Sequence, residues 1–351
     1  MKKVLIVHHN DLDGVGAAAI VANALSKGDI IETTFVPYYY TDASAKNVND
    51  ALLKAANDGS EVYIVDISIS SENIDKIGNI YKISANRLVW IDHHTSSVTW
   101  MNSTYNTEKE LHCNAIVNPR RSGAYHTWKY MHGYKKGTKI PAFVSLIDDY
   151  DRYKLMDINS QYLNAAFYAI DEMHDPRSMF WKELCDPTSI MHTHVLNTLI
   201  EKGKIIKDYL ESTYRSARKT RLYNISVCIK STNPKHEPLE YNALCINHAG
   251  SPDVFGDQIK RDDIDLCISW YITNKGATKY SLRSSHNWVR CDIVAKYLGG
   301  GGHKLSAGTT INPTEPNAQP PLKDGKMEII VSSEDFSILK KCFRKKKKDC
   351  C

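Results

Sequence analysis

Three apolar runs in the first hundred residues end in acids and histidines. Val4-Leu5-Ile6-Val7 leads into His8-His9-Asn10-Asp11-Leu12-Asp13-Gly14. Val62-Tyr63-Ile64-Val65 leads into Asp66, and Leu88-Val89-Trp90-Ile91 into Asp92-His93-His94. Each run reads as a buried strand, and ligands of open α/β sheets bind beyond the carboxyl ends of the strands. His9, Asp11 and Asp13 are spaced by two, so on an extended stretch they face one way. Gly14 then opens a helix-prone segment, whose first amides would lie near the carboxylates. With Asp66, His93 and Asp148 added, the set is four carboxylates and two imidazoles. Such a cluster would repel itself without cations. Asp and His without sulfur suit a hard or borderline divalent ion, Mn²⁺ foremost, with Mg²⁺ or Co²⁺ as alternatives. Two ions sharing one Asp would activate a water and stabilise displacement at phosphorus.

Each residue also has a plainer use. Asp11 or Asp13 alone would cap a helix. His8 should face away from His9 and is read as structural. Asp149 is read as a surface acid, because Asp148 directly follows Leu146-Ile147. Asp151 and Arg152 are read as a local ion pair. Convergence at three strand ends and one helix favours the metal site.

A second signature lies further along. Gly299 to Gly302 precede His303-Lys304-Leu305-Ser306-Ala307-Gly308. Four glycines should not form a stable strand or helix interior, and glycine lets backbone amides approach a ligand. The run, with Gly301, Gly302 and His303, therefore reads as an anion-binding loop. Upstream, Ser281 and Arg283 share one strand face, and Ser284 follows. The arginine fork suits phosphate.

The elements that carry these residues follow from pattern. Residues 1–155 alternate strand and helix, with helices expected over 14–25, 47–56, 72–83 and 140–147, which implies a doubly wound parallel sheet. Residues 156–220 read as an amphipathic helical connector. Residues 221–312 read as a smaller α/β domain, with strands around 225–229, 243–246, 266–271 and 280–283. Residues 313–351 form a C-terminal extension: a Pro-rich loop, a strand over 327–331, a short helix and a basic tail read as a solvated, disordered end. The active site is expected in the crevice between the two domains.

The chain has 351 residues, room for two cores. No apolar run nears the roughly 20 residues of a membrane span. The apolar stretch at Val4–Val7 is too short for a signal peptide, so the protein reads as cytoplasmic. Nine scattered cysteines without a C-x-x-C pair suggest neither a disulfide framework nor a zinc ribbon. The net charge of +5 leans on Arg344 to Lys348, which leaves the body near neutral. That argues against an extended groove for long nucleic acid and for short substrates.

Taken together, Val7 to Gly16, Val65-Asp66-Ile67-Ser68, Asp92-His93-His94 and Leu146 to Asp151 resemble the motifs of the DHH phosphoesterase superfamily. Ser281 to Ser284 and Gly299 to Gly308 resemble the hallmark of its DHHA1 domain. The resemblance spans residues 1 to about 312. It implies that His9, Asp11 and Asp66 hold one metal and that Asp13, Asp66, His93 and Asp148 hold the other, with Asp66 bridging. It implies that His94 assists the leaving oxygen and that Asp92 orients the histidines. It implies that Arg283 and His303 bind the substrate's phosphate or terminal nucleotide. The short His9-to-Asp11 spacing is similar to that of nanoRNase and RecJ-type members. The function implied is trimming of short single-stranded oligonucleotides to mononucleotides. Cleavage of cyclic or linear dinucleotides and a non-catalytic nucleotide-binding scaffold are the alternatives. A homodimer is compatible with this reading. The segment 100–114 and the Cys350-Cys351 end have no counterpart in the resemblance.

Overall fold

The computed structural model describes residues 2–26, 31–70, 73–103, 111–133, 139–314 and 325–349. The chain divides into two compact units, Met1–Asp208 and Tyr209–Cys351.

Apolar residues alternate along the strands of the first unit because both faces of its sheet are covered. Val4, Ile6, Tyr63, Val65, Val89 and Ile91 enter one core. Their neighbours Leu5, Val7, Val62, Ile64, Leu88 and Trp90 enter another. In order the elements are β1 (Lys2–His9), α1 (Leu12–Leu25), β2 (Ile31–Tyr38), α2 (Asp42–Asp58), β3 (Glu61–Val65), β4 (Leu88–Asp92), α3 (Thr95–Met101), β5 (Asn114–Val117), α4 (Gly123–His132) and α5 (Ala142–Asp151). All four strand pairings are parallel, in the order β2-β1-β3-β4-β5. All five carboxyl ends therefore lie along one edge. Strand order reverses between β1 and β3, the place where such sheets bind ligands. Helix α1 is buried without interruption from Leu12 to Val21.

Three expectations are corrected in this unit. Residues 74–82 form 3-10 turns with a break at Ile77, where an α-helix was expected. Asn79 gives its backbone N–H and its side-chain amide to Asn49 of α2, and Gly78 beside it is a poor helix former, so tertiary bonding competes with a regular ladder. Helix α5 continues to Asp151 instead of ending at Ile147. The extended stretch does not reach Asp13: β1 ends at His9, Asp11 caps α1 with an extended backbone, and Leu12 and Asp13 are the first residues of the helix. Part of the unassigned stretch 100–114 and all of 71–72 lie outside the described residues.

Among the described residues five α-helices follow: α6 (Ile158–Ala169), α7 (Met179–Cys185) and α8 (His192–Arg221), then α9 (Cys291–Lys296) and α10 (Ser333–Asp349) in the second unit. Leu163, Phe167, Trp181, Leu184, Leu196 and Leu199 enter the core that also holds α1. Helix α8 runs across the division between the units. No helix among the described residues is long and apolar enough to cross a membrane.

The second unit holds β6 (Leu222–Ser231), β7 (Leu239–Asn247), β8 (Leu266–Ile272), β9 (Thr278–Arg283), β10 (Gly301–His303), β11 (Ser306–Ile311) and β12 (Lys326–Val331). They form one mixed sheet, ordered β10-β11-β9-β8-β7-β6-β12. The glycine run is not a pure loop: Gly301 to His303 pair antiparallel with Ser306 to Gly308. Glycine is required there by crowding. A methyl on Gly300 would lie 2.1 Å from the Gly308 carbonyl oxygen, and one on Gly302 2.5 Å from the Ala307 Cα. Strand β12 pairs with β6, and Phe336 and Leu339 of α10 (Ser333–Asp349) enter the same core. The helix extends through residues 344–348, where a disordered end was expected, because Lys and Arg are good helix formers. Residues 315–324 of the Pro-rich loop and Cys350-Cys351 lie outside the described residues.

Candidate metal centre

The turn out of β1 places the first acids. The Asp11 carboxylate accepts the Gly14 amide at 2.9 Å as the cap of α1 and meets His9 Nδ1 at 2.8 Å. Burial resists its charge, but the His9 hydrogen bond prevails and holds the carboxyl down at about 2. A side chain at position 14 would collide with the His9 carbonyl oxygen at 2.3 Å, so the turn requires glycine. Asp13 is buried and accepts the Gly123 and Ala124 amides at 2.6 and 2.7 Å. These are the first amides of α4, where a negative charge is favoured.

Asp66 leaves β3 with φ 55°, an uncommon value for a residue other than glycine. Its carboxylate lies at the centre of the cluster. Oδ2 is 4.0 Å from His9 Nδ1, and Oδ1 is 3.2 Å from His93 Nε2. His93 Nε2 is also 3.7 Å from Asp13 Oδ2 and 3.4 Å from Asp151 Oδ2. Gly123 packs directly on Asp66: a methyl there would be 2.8 Å from its Cβ. Burial, then the charges of Asp13 and Asp11, push the Asp66 and Asp151 carboxyls well above the ordinary range. Burial also raises Asp13 and lowers His93.

Beside this, Asp92 Oδ1 meets His94 Nδ1 at 2.7 Å, and its other oxygen accepts the Ser97 hydroxyl. Burial works to lower His94, and the Asp92 hydrogen bond outweighs it, so the imidazole is raised. His8 is buried against Phe35, and its Nδ1 meets the His9 carbonyl at 2.8 Å.

The fit to a metal can be judged from the donors. Asp66 Oδ1 and Asp151 Oδ2 are buried and accept no hydrogen bond. Three groups of side chains offer atoms within 4.8 Å of one another: His9, Asp11 and Asp66; Asp13, His93 and Asp151; Asp66, Asp92, His93 and His94. Buried carboxylate oxygens without donors are costly unless a cation faces them. An all Asp/His set matches Mn²⁺ or Mg²⁺ chemistry.

Asp148 is not among these groups. Its oxygens are occupied by Arg121 Nη1 at 2.7 Å and the Ser122 amide at 2.8 Å, with Arg152 at 3.7 Å. The local pair thus joins Arg152 to Asp148, and Asp151 turns to the cluster. The signal for Asp151 was available: it lies four residues beyond buried Ile147, on the same helix face. Asp149 instead accepts the Met156 and Asp157 amides and the Ser160 hydroxyl.

In the second unit, Ser281 and Arg283 share the less buried face of β9. Arg283 Nη1 donates to the carbonyls of Leu282 and Ala307. Ser284 is buried, and its hydroxyl donates to the Asp265 carbonyl. Gly301 and Gly302 are exposed in β10. The His303 side chain lies outside what is described.

Residues 3–170 match the family model described as "DHH family, N-terminal domain". Oligoribonuclease NrnB of Bacillus subtilis (strain 168) is 23% identical over 317 residues, 86% of this chain and 71% of that protein. A solved DHH domain, from a protein described as a member of a family of ribosomal proteins, aligns at a TM-score of 0.56 and 15% identity. That alignment covers 98% of this chain and 86% of the other, and it shows a shared fold. Residues 3–170 are thus similar to the N-terminal domain of the DHH family.

Proposed function

We propose that this protein is a metal-dependent phosphodiesterase that hydrolyses short oligonucleotides to mononucleotides. The observation that carries the reading is the pair of buried, undonated oxygens of Asp66 and Asp151 among converging Asp and His atoms. His9, Asp11 and Asp66 would hold one divalent ion. Asp13, Asp66, His93 and Asp151 would hold the other, with Asp66 shared. Bound there, two such ions supply an activated water and charge stabilisation at phosphorus. The α4 amides fix Asp13, and the Gly123 contact fixes Asp66, so both acids are positioned before substrate arrives. His94 is held through Nδ1 by Asp92, whose hydrogen bond outweighs burial and raises the imidazole above its ordinary range, which would suit Nε2 to protonate the leaving oxygen. Ser281, Arg283 and the Gly301–His303 strand would bind the substrate's phosphate or terminal nucleotide.

The name of the curated relative, an oligoribonuclease, supports short RNA as the substrate class. The test is a panel of end-labelled oligonucleotides of two to twenty-four residues, with cyclic dinucleotides alongside, in Mn²⁺ buffer. The shortest linear substrates are expected to be cut fastest, to mononucleotides. Turnover of the cyclic compounds alone would reassign the substrate, and binding without turnover of any would leave a scaffold.

A further inference from the structure

Strand β2 ends at the same edge as β1, with Tyr38 in register with His9. The next two residues, Tyr39 and Tyr40, leave the sheet beside the metal-centre residues. Tyr40 has φ 58°, a strained value for an aromatic residue. Three contacts fix it there. Its hydroxyl oxygen accepts the Ser68 amide at 2.7 Å, two residues past Asp66. Its ring lies 4.7 Å from buried Tyr38 and 5.7 Å from the His9 ring. Even so, Tyr40 remains 39% exposed and Tyr39 51%. A single exposed tyrosine is ordinary. A ring immobilised in a strained backbone, next to a residue assigned to the metal centre and open on one side, is not.

We infer that Tyr40, with Tyr39 beside it, is a stacking platform for the nucleobase adjacent to the scissile phosphate. This rests on the reading of the Asp/His cluster as a phosphodiesterase site. Every base has a π-face, so such a platform accepts nucleotides with little sequence preference. A base-free phosphate ester gains nothing from it. Specificity for nucleotides over other phosphate esters would thus come from the end of β2, while the ends of β1, β3 and β4 serve the phosphorus.

The test is calorimetric binding of adenosine 5′-monophosphate and ribose 5-phosphate in Mn²⁺ buffer, to wild type, Tyr40→Ala, Tyr40→Leu and Tyr40→Phe. Wild type is expected to prefer the nucleotide. Tyr40→Ala and Tyr40→Leu should weaken it roughly 5- to 150-fold, leaving ribose 5-phosphate unchanged. Tyr40→Phe keeps the ring and should stay within about twofold of wild type. Unchanged nucleotide binding in both aliphatic variants would overturn the proposal. So would equal weakening of both ligands, which would mark Tyr40 as a support for the site's shape. The leucine variant guards against loss of fold in the alanine one. Dinucleotide turnover by wild type is scored separately. Base-dependent binding through Tyr40 without turnover would sink the phosphodiesterase reading and leave the platform standing.

Discussion

At the carboxyl edge of the first sheet, Asp66 and Asp151 each keep a buried oxygen that accepts no hydrogen bond from the described residues and has His93 Nε2 nearby at 3.2 and 3.4 Å. Around β9 to β11 of the second unit, Ser284 and Arg283 bond backbone carbonyls, and Gly300 and Gly302 fill crowded backbone positions. Both regions carry motifs of the same resemblance. Only the first concentrates buried charge of one sign, which costs free energy unless a cation compensates it. The difference separates a region whose buried acids call for a cation from one whose polar groups are settled by the fold. The proposed function accordingly assigns chemistry to the first and binding contacts to the second.

The sharpest way to break this comparison is Asp66→Asn. It removes the carboxylate proposed to be shared by both ions, so turnover of a dinucleotide is expected to fall on the order of 1,000-fold or more. Metal per chain, measured by elemental analysis, should drop with it. Full activity with unchanged metal content would reject the bridging role.

The two acids of α5 give the next contrast. Asp151→Asn is expected to lower turnover on the order of 100-fold and to weaken metal binding. Asp148→Asn removes the partner of Arg121 and the Ser122 amide, so it should lower Tm, with metal content retained. The reverse pattern in the two variants would return Asp148 to the metal.

This pair also marks what could be read from sequence. The convergence of acids and histidines at strand ends was legible because a strand end fixes the position of the next residue within narrow limits, as for Asp66 after Val65 and His93 after β4. The helix was harder. Adjacency to Leu146-Ile147 pointed to Asp148, while the 3.6-residue period also turned Asp151 inward. Arg121, remote in sequence, decides between them by occupying Asp148. The doubly covered sheet was legible from its apolar runs. The 3-10 turns at 74–82 were not, because Asn49 and Asn79 meet only in the fold. Nor was the pairing of the glycine run with β11, since glycine in a strand is explained by the backbone it approaches.

In the second unit, Arg283→Ala should raise KM for di- to pentanucleotides on the order of tenfold and leave kcat nearly unchanged. A minimal activated diester such as bis-nitrophenyl phosphate should be cut normally. Equal loss on both substrates would move Arg283 into the chemical step.

The smallest effect concerns stability without metal. Asp66 and Asp151 are raised above the ordinary carboxyl range, so the folded chain keeps protons that the unfolded chain has already released. Their contribution is present at low pH and is lost as pH rises through the raised values. With chelator present, Asp66→Asn should therefore raise Tm by roughly 2–8 °C at pH about 8 and by less at pH about 5. Mn²⁺ should raise the Tm of wild type and leave that of the variant nearly unmoved. A lower Tm for the variant in chelator would show that the buried carboxylate is already compensated within the protein.

The most direct test of the two-metal phosphodiesterase is single-turnover cleavage of a labelled dinucleotide by protein stripped with chelator and then titrated with Mn²⁺. The stripped protein is expected to release no mononucleotide, and added Mn²⁺ should restore cleavage, with two ions bound per chain at saturation. Undiminished cleavage after exhaustive chelation would contradict the account.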